Sequence, residues 1–393
     1  MTSGLRVTLV NYTLSMMRGG GETRDLAFAR HLTDLGCQIT LVSVNPLLGR
    51  VRHPIHGFNH RLIRSPYFRD LVYRFMVLPK TGRLASFLLD QDVKRFSRGV
   101  IDLVADPAYP VDILQVAGLY PAVAVKQRRD VKVVVRNQGG LPRAWMRHWI
   151  PQADAVIGDG WDAENFERSL GTPLVEIPGG VDSELFRPGD GRTARRELGL
   201  ADQPLLLYVG RFVPLKNLPM LLSAFALVRQ TRPDAVLALA GEGALEGQLR
   251  RQVRDLGIEN GVRFLGQKPQ ADLPALYAAS DVVLLSSSFD NSPNAVLEAG
   301  ACGRPVVATR VGGVARYVDE GETGYLVDSG DHAAFANRIL ALLDDPVARE
   351  RMGANGRRRV ETRHSWRKSC EKLLSLYESL LGRAPAGSGR IPG

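Results

Sequence analysis

Short apolar runs alternate with longer amphipathic stretches along the first half of the chain. Leu5–Val10 predicts a buried strand, Glu22–Leu35 has the apolar spacing of a helix, and Ile39–Val44 predicts the next strand. Gly36 lies where a helix C-cap is expected. Further strand-like runs follow, separated by helical stretches, at Asp112–Val116, Lys132–Val135, Ala155–Ile157 and Leu174–Ile177.

The second half repeats this alternation. Apolar strands are predicted at Pro204–Val209, Ala235–Ala240, Val262–Leu265, Val282–Leu285 and Pro305–Ala308. Helices are predicted at Leu218–Arg229, Leu245–Asp255, Asp272–Ala279 and Asn294–Cys302. Continuously apolar strands between amphipathic helices indicate parallel sheets covered on both faces. The fold class is therefore α/β, with two doubly wound Rossmann-like domains facing across a cleft.

The segment IPGGVDSELFRPG, near Ile177–Pro188, clusters Pro and Gly and places the domain boundary. The C-terminal part reads as helical from about Pro346 to Leu381. We expect a first domain, a second domain, a last helix and a disordered tail. Their ranges are residues 1–180, 181–365, 366–382 and 383–393.

Composition is that of a globular protein: 393 residues, 45% hydrophobic and 23% charged. Three cysteines without paired or metal-ligand spacing indicate a reducing compartment. Spanning a bilayer takes roughly 18–20 apolar residues, and no run approaches that length. With no signal-peptide pattern at the N-terminus, the sequence predicts a cytoplasmic location.

Positive charge is concentrated in two places. Arg50–Arg98 contains eleven Lys or Arg and three Asp, a local charge of +8, within a chain of net charge +10. A second basic cluster runs from Arg357 to Lys368. Such patches suit an anionic membrane surface or a charged acceptor, and a solvated surface explains them equally well. Because no nucleic-acid-binding signature accompanies them, nucleic acid is disfavoured as a partner.

Four features lie where ligands of parallel sheets bind, beyond the carboxyl ends of strands. Gly19, Gly20 and Gly21 stand between the first strand and its helix, where backbone N–H groups can approach an anion. A flexible loop is the alternative. Arg211 and Lys216 lie five residues apart on one loop, where two cations can neutralise a diphosphate leaving group. Solvated surface cations are the alternative.

Asp290 and Glu298 are the third feature, with seven residues between them around a helix start. Both carboxylates can accept hydrogen bonds from sugar or ribose hydroxyls, although Asp290 could instead cap the helix. The fourth feature is Gly312 and Gly313, after the strand PVVATR. They could let a ligand approach the backbone closely, or they could simply form a turn.

Three other chemistries find little support. Asp90-x-Asp92 matches a metal-binding pattern of another class of sugar transferases, but it sits in an amphipathic helical stretch beside Lys94 and Arg95. No nucleophile elbow supports hydrolase chemistry of the Ser/His/Asp kind. The P-loop pattern is also absent.

Together these segments resemble glycosyltransferase family 4, the retaining enzymes of the GT-B fold. The likeness is strongest from Leu205 to about Tyr325. It rests on VGRFVPLKN, on LAGEGALEGQLRRQVRDLGIENGVRFLGQ and on DNSPNAVLEAGACGRPVVATRVGG, which corresponds to the family's Glu-x7-Glu motif. IPGGVDSELFRP resembles the family's interdomain segment, and RHSW resembles the start of its last helix. The resemblance implies that residues 1–180 form the acceptor-side domain, that residues 181–365 bind the nucleotide sugar, and that the last helix packs back toward the first domain.

The resemblance implies roles for the candidate residues. Arg211 and Lys216 would bind the donor diphosphate, Glu298 the ribose hydroxyls, and Asp290 the transferred sugar. Gly19–Gly21 would close over the phosphates from the opposite domain. The matching segments add further donor-binding residues: Glu242, Gly266, Asn291, Ser292, Pro293, Asn294 and Leu297. Such enzymes are metal-independent, so no cofactor is expected, and front-face attack relies on positioning and electrostatics.

The acceptor side departs from the family pattern. Gln115 stands where many members have a histidine, as does Gln138, and both are candidate acceptor-side residues. Asp290 replaces the usual first Glu of the motif. We therefore predict a hexosyltransferase acting on a lipid-linked or polysaccharide acceptor in cell-surface glycan assembly, with peripheral contact to the inner membrane face through Arg50–Arg98. The alternatives are an epimerase or hydrolase of the same fold, or a non-catalytic nucleotide-sugar-binding protein.

Overall fold

The chain divides into two compact units, seen in a computed structural model. The first unit contains residues 1–178 and 366–393, and the second contains residues 179–365. The structure describes residues 4–16, 20–47, 49–67, 82–137, 142–159 and 166–383. The chain thus leaves the first unit once and returns to it for its last helix.

The first unit is built on a seven-stranded parallel sheet with the order β3-β2-β1-β4-β5-β6-β7. Its strands are β1 (Arg6–Val10), β2 (Gln38–Pro46), β3 (Asn59–Ser65), β4 (Ile113–Ala117), β5 (Lys132–Arg136), β6 (Ala155–Gly158) and β7 (Val175–Glu176). The order reverses between β1 and β4, which are direct neighbours with Val7 opposite Ile113. This reversal is the topological switch point of a doubly wound sheet.

Helices cover both faces of this first sheet. They are α1 (Gly20–Asp34), α2 (Gly82–Ala105) and the C-terminal helix, with 3-10 turns at Tyr120–Gln127 and Ala144–Gln152. The C-terminal helix, Trp366–Leu380, packs on α1, where the Phe28 and Trp366 rings meet edge to face at 5.7 Å. Burying these aromatic side chains between the two helices contributes to the hydrophobic stabilisation of the unit.

The second unit is built on a six-stranded parallel sheet with the order β10-β9-β8-β11-β12-β13. Its strands are β8 (Leu205–Val209), β9 (Val236–Ala240), β10 (Val262–Gly266), β11 (Val282–Leu285), β12 (Val306–Thr309) and β13 (Gly324–Val327). Alternate residues of β8 pack into the cores on opposite faces of the sheet. Leu206 and Tyr208 lie in one core, and Leu205 and Leu207 lie in the other. Both faces are therefore buried, as the continuously apolar strands predict.

The helices of the second unit fill the intervals between its strands. They are α3 (Arg192–Glu197), α4 (Leu218–Thr231), α5 (Glu246–Asp255), α6 (Leu273–Ala279), α7 (Asn294–Ala301), α8 (His332–Asp344) and α9 (Pro346–Arg363); the last helix of the chain is α10 (Trp366–Leu380). Asp331 and Asp345 cap α8 and α9, because each side chain accepts a hydrogen bond from a backbone N–H three residues on. Among the described residues, no helix is long and apolar enough to cross a membrane.

The predicted α/β class with two Rossmann-like domains is confirmed. The C-terminal part, predicted to be helical from about Pro346 to Leu381, contains two helices, because the chain breaks between α9 and α10. At the break, the His364 carbonyl accepts from the Val181 N–H at 3.0 Å and Ser365 forms a β-bridge with Val181. The family resemblance places the start of the last helix at RHSW, and in the structure α10 begins at Trp366.

Two edge strands, β3 and β13, and two helices, α3 and α8, are absent from the sequence-based assignment. β3 is largely polar and exposed, with the sequence NHRLIRS, so it carries no apolar run. β13 has only four residues, and its Gly324 packs so closely on β12 that an added Cβ would lie 2.1 Å from the Val306 carbonyl oxygen. The helix α8 follows directly. The predicted helix start at Glu22 also moves, since α1 begins at Gly20.

Candidate functional site

The loops that follow β8 and β11 meet at the switch point of the second sheet. The Lys216 ammonium donates to Asp290 Oδ2 at 2.5 Å, joining a residue of the first loop to one of the second. Both side chains are partly buried, at 20% and 11% exposure. Ligands of open α/β sheets bind at this position, outside the carboxyl ends of the strands. The structure thus brings together a cation and a carboxylate that lie 74 residues apart in sequence.

Backbone contacts fix the loop that carries Lys216. The Ser286 hydroxyl donates to the Lys216 carbonyl at 2.9 Å, and the Ser288 N–H donates to the Leu215 carbonyl at 2.9 Å. Asn217, which follows Lys216, is left-handed with φ of 46°. Asn tolerates this conformation better than other non-glycine residues. These contacts fix the backbone of Lys216, and the ion pair with Asp290 positions its ammonium group.

Arg211 lies at the start of the same loop, and its side chain is exposed. It forms no ion pair with any residue that the structure describes. The Tyr208 hydroxyl donates to its carbonyl at 3.1 Å, which anchors the backbone just after β8. A fixed backbone under an unpaired guanidinium leaves that group available to an anionic ligand.

Glu298 lies on α7 and is almost fully buried, with its carboxylate accepting from the Tyr277 hydroxyl at 2.7 Å. Burial raises the pKa of Glu298 to about 7, and the Tyr277 hydrogen bond opposes this shift. No hydrogen bond or ion pair between described residues joins Glu298 to Lys216 or Asp290. The two carboxylates therefore have different partners: Asp290 has a cation and Glu298 has a phenol.

The remaining predicted donor-side residues lie around these groups. The turn into α7 carries Asn291, Ser292, Pro293, Asn294 and Leu297. In it, the Ser292 hydroxyl is 3.1 Å from the Tyr317 hydroxyl, and Leu297 is buried in the core with 1% exposure. The side chain of Leu297 therefore supports the helix, and a donor-binding role for this residue stays a prediction.

Two more predicted donor-side residues follow the neighbouring strands β9 and β10. Glu242 is exposed after β9, and its carbonyl accepts from the Phe212 N–H at 2.8 Å. Gly266 ends β10 with φ of 67°, and its carbonyl accepts from the Gly241 N–H at 2.8 Å. Both positions thus belong to the same edge of the sheet as Lys216, linked through the main chain.

Gly312 and Gly313 form the turn that supports Asp290. The Gly313 N–H donates to the Asp290 carbonyl at 2.8 Å. Gly312 has φ of 50°, and a Cβ there would lie 2.3 Å from the same carbonyl oxygen. This close approach is the physical reason for glycine at position 312.

Gly312→Ala should therefore displace the Asp290 loop and weaken nucleotide-sugar binding by about 10-fold or more, equal to about 1.4 kcal/mol. The matched control is Gly321→Ala, since Gly321 is also left-handed, with φ of 74°, but a Cβ there meets nothing within 4 Å. That control carries only the backbone strain, about 1–2 kcal/mol of stability. Binding measured by calorimetry should separate the two variants, and equal affinities would contradict the argument.

In the first unit, Gly20 and Gly21 form the first turn of α1, whereas Gly19 lies outside the described residues. Gln138 is likewise outside them, so both assignments stay predictions. Gln115 lies in the middle of β4 with 2% exposure, and its side-chain oxygen accepts from the Tyr377 hydroxyl at 2.7 Å. This partner gives Gln115 a structural role, tying α10 to the sheet.

A buried polar network occupies the carboxyl ends of β1 and β5 in the first unit. Asp25, on α1, accepts from the Asn11 amide at 2.6 Å and from the Arg136 guanidinium at 2.7 Å. All three side chains are at least 95% buried. Burial raises the pKa of Asp25, against the opposing effects of Arg136 and Asn11. Asn11 directly follows an apolar strand, and that position is the sequence signal that could have marked it.

The structure shows the surroundings of the two carboxylates in the Asp90-x-Asp92 pair. Asp90 is ion-paired with the Arg143 guanidinium at 2.5 Å, and Asp92 is fully buried within α2. Within the described part of the chain, no group of three or more His, Cys, Asp or Glu side chains is placed to hold a metal ion.

Two residues of the candidate site were not identified from the sequence. Tyr277, the partner of Glu298, lies on a different helix 21 residues away, and nothing in its local pattern marks it. Ser287, whose hydroxyl is 3.4 Å from Asp290 Oδ2, belongs to a run of three serines after β11. That polar run after an apolar strand is a usable signal.

The comparison with protein families matches the second unit. Residues 190–359 match the family model described as Glycosyl transferases group 1. A curated relative, D-inositol 3-phosphate glycosyltransferase of Corynebacterium glutamicum (strain R), is 36% identical over 212 residues, 51% of this chain and 50% of the relative. The chain spans about half the length of the curated relatives it matches.

Solved structures match nearly the whole chain. Sucrose-phosphate synthase from Thermosynechococcus elongatus superimposes with a TM-score of 0.79 at 23% identity, covering 96% of this chain and 99% of that one. HepE of Anabaena in complex with UDP-glucose has a TM-score of 0.74 at 19% identity, covering 95% and 100%. Residues 190–359 thus match the glycosyl transferases group 1 family, in a chain whose fold is that of the GT-B glycosyltransferases.

Proposed function

We propose that this chain is a retaining, metal-independent glycosyltransferase of family 4 that takes a sugar from a nucleotide-diphosphate donor. The observation that carries the proposal is the Lys216–Asp290 pair at the switch point of the second sheet, with Arg211 unpaired on the same loop. The group 1 family match covers both loops.

The chemistry asked of these groups is charge stabilisation. As the glycosidic bond to the donor phosphate breaks, negative charge builds on the leaving diphosphate. Lys216 and Arg211 would neutralise that charge, Asp290 would hold the transferred sugar, and Glu298 would accept from the ribose hydroxyls. Retention follows if the acceptor attacks from the face that the leaving group occupies, its proton passing to the leaving phosphate oxygen.

UDP-sugars are the first donors to test, because HepE, of the same fold, is described in complex with UDP-glucose. For the acceptor, the sequence favours a lipid-linked or polysaccharide substrate at the membrane surface. The curated relatives named D-inositol 3-phosphate glycosyltransferase favour a second candidate, an inositol phosphate. An inositol phosphate is an anion with free hydroxyl groups, and a chain of net charge +10 would attract it.

A donor screen tests this proposal. Purified protein is mixed with UDP-, GDP- and ADP-sugars, with and without EDTA, and its melting temperature is measured. We expect one nucleotide class to raise the melting temperature equally in both conditions, because a bound ligand stabilises the folded state by mass action. A shift lost in EDTA would overturn metal independence, and the lack of any shift would overturn the donor site.

Product analysis then separates the activities. With the identified donor, transfer to inositol 3-phosphate or to a lipid-linked saccharide should release nucleotide only when acceptor is present, and the new linkage should keep the donor's anomeric configuration. Free sugar or an epimer formed without acceptor would instead indicate a hydrolase or an epimerase. Binding without any turnover would indicate a nucleotide-sugar-binding protein.

A further inference from the structure

A pocket of about 330 Å³ lies on the helical layer of the first unit, and none of its lining residues is among those assigned to transfer. It is bounded by α2 and by the 3-10 turns 120–127 and 144–152. Its walls are mainly apolar, formed by Ile101, Pro121, Ala124, Trp145 and Trp149. The volume is at the low end of the range for small-molecule sites, which suits a headgroup with its first methylene groups.

Two cations also line this pocket. Lys94 and Arg98 are exposed on α2, one turn apart, and neither forms an ion pair with a described residue. Two acids of the same helix are engaged elsewhere, since Asp90 pairs with Arg143 and Asp102 pairs with an arginine of another element. The pocket therefore carries an uncompensated positive charge, which is complementary to an anion.

Buried polar groups in the pocket also lack partners. Ser97 is 1% exposed, and its hydroxyl has no hydrogen-bond partner among the described residues. The Trp145 indole N–H has none either, while the Lys94 ammonium lies 4.8 Å from the centre of that ring. Buried polar groups are normally satisfied, so two unpaired donors beside two cations point to an acceptor-rich ligand.

An exposed aromatic residue continues the same face of α2. Phe87 is 57% exposed. It precedes Lys94, Arg98 and Ile101 by 7, 11 and 14 residues, and these spacings place all four side chains along one side of a helix. An apolar residue in line with cations and tryptophans is the arrangement of surfaces that enter the headgroup region of a bilayer.

We propose that this pocket binds the headgroup of an anionic glycerophospholipid at a bilayer surface. Lys94 and Arg98 pair with the lipid phosphate, and the Ser97 hydroxyl and Trp145 N–H donate to its oxygens. The glycerol and first methylene groups lie against Trp145 and Trp149, while the acyl chains stay in the bilayer. Phe87 enters the interface beside them. The site is a discrete lipid pocket rather than a diffuse basic surface.

The test uses the full-length protein and sedimentation with vesicles of phosphatidylcholine, with or without phosphatidylglycerol. Only the phosphatidylglycerol vesicles should bind the protein and blue-shift its tryptophan fluorescence. The double variant Lys94→Gln/Arg98→Gln should lower the affinity for these vesicles roughly 30-fold. Each Lys or Arg near an anionic surface contributes about 1 kcal/mol of binding free energy, and this variant removes two of them. Both residues are exposed, so this variant should keep its fold and its melting-temperature shift with donor.

Two matched variants separate a pocket from general electrostatics. Ala124→Phe fills the pocket without changing charge and should lower vesicle affinity by about 10-fold or more, at a cost near 1.4 kcal/mol. Arg61→Gln/Arg95→Gln removes two exposed charges of the same basic stretch outside the pocket and should cause a much smaller loss. Equal losses in the two double variants, with wild-type binding by folded Ala124→Phe, would overturn the pocket.

Inorganic phosphate distinguishes the source of the anion. At the same phosphate concentration as the vesicles, it should leave the protein on the bilayer, because it cannot supply the contacts of the glycerol and methylene groups. Full displacement by inorganic phosphate would overturn the assignment to a bilayer lipid. Donor binding in the second unit is measured in parallel, so failure of this inference is distinguishable from failure of the proposed transferase activity.

Discussion

Replacing Lys216 with alanine should lower the rate of sugar transfer by about 10²- to 10³-fold, the loss typical of removing one key charge-stabilising donor. Main-chain contacts fix the backbone of Lys216 at the switch point, and its side chain, paired with Asp290, is only 20% exposed. In such a shielded position its charge acts more strongly on a leaving diphosphate than it would in water. The measurement is kcat at saturating donor and acceptor.

Lys216→Arg should recover part of the lost rate, because it restores the charge with a larger, planar group. Lys372→Ala is the control, since Lys372 is an exposed lysine on α10. Its kcat should match that of the unaltered protein. A Lys216→Ala protein that folds and keeps the original kcat would refute the assignment of Lys216.

The contribution of the Lys216–Asp290 contact can be measured by combining substitutions at the two positions. Lys216→Ala leaves a partly buried carboxylate without its cation, and Asp290→Ala leaves the ammonium without its acceptor. Since each single change disrupts the same contact, the two effects on kcat should not add in the double variant. Additive effects would show that the two residues act independently during transfer.

Raising the pH from about 4 to about 8 should remove up to about 3 kcal/mol of stability through Glu298 alone. Burial raises the pKa of this carboxyl from 4.5 to about 7. Between these values the folded protein keeps a proton that the unfolded chain has released. The folded state thus binds more protons, and stability falls as pH rises through this window. The contribution is fully present below pH 4.5 and lost above pH 7.

Glu298→Gln is the matched variant, since it keeps the shape and an oxygen that can accept from Tyr277 without a titrating group. Denaturant unfolding at several pH values should show a smaller fall in stability between pH 5 and pH 8 for Glu298→Gln than for the unaltered protein. Parallel curves would show that Glu298 titrates with its ordinary pKa. Because ribose hydroxyls would favour the ionised form, donor binding should also release a proton near pH 6.

The sequence alone contains much of the architecture, because parallel strands buried on both faces must be continuously apolar. The runs around β1, β8, β9, β11 and β12 are visible for that reason. The strands β3 and β13 are missed because one is a polar edge strand and the other has four residues. The break at His364–Ser365 is indicated by the RHSW segment, whereas the bridge of Ser365 to Val181, about 180 residues away, is visible only in the structure.

The candidate site, too, is predicted from the sequence only in part. Loops after parallel strands collect at one edge, so sequence order alone places Arg211, Lys216 and Asp290 at that edge and indicates a diphosphate-binding chemistry. Only the tertiary structure decides the partners: Lys216 with Asp290, Glu298 with Tyr277, and Gln115 with Tyr377. The physical reason is that hydrogen bonds and burial depend on distances between residues far apart in sequence, and local pattern carries no information about those distances.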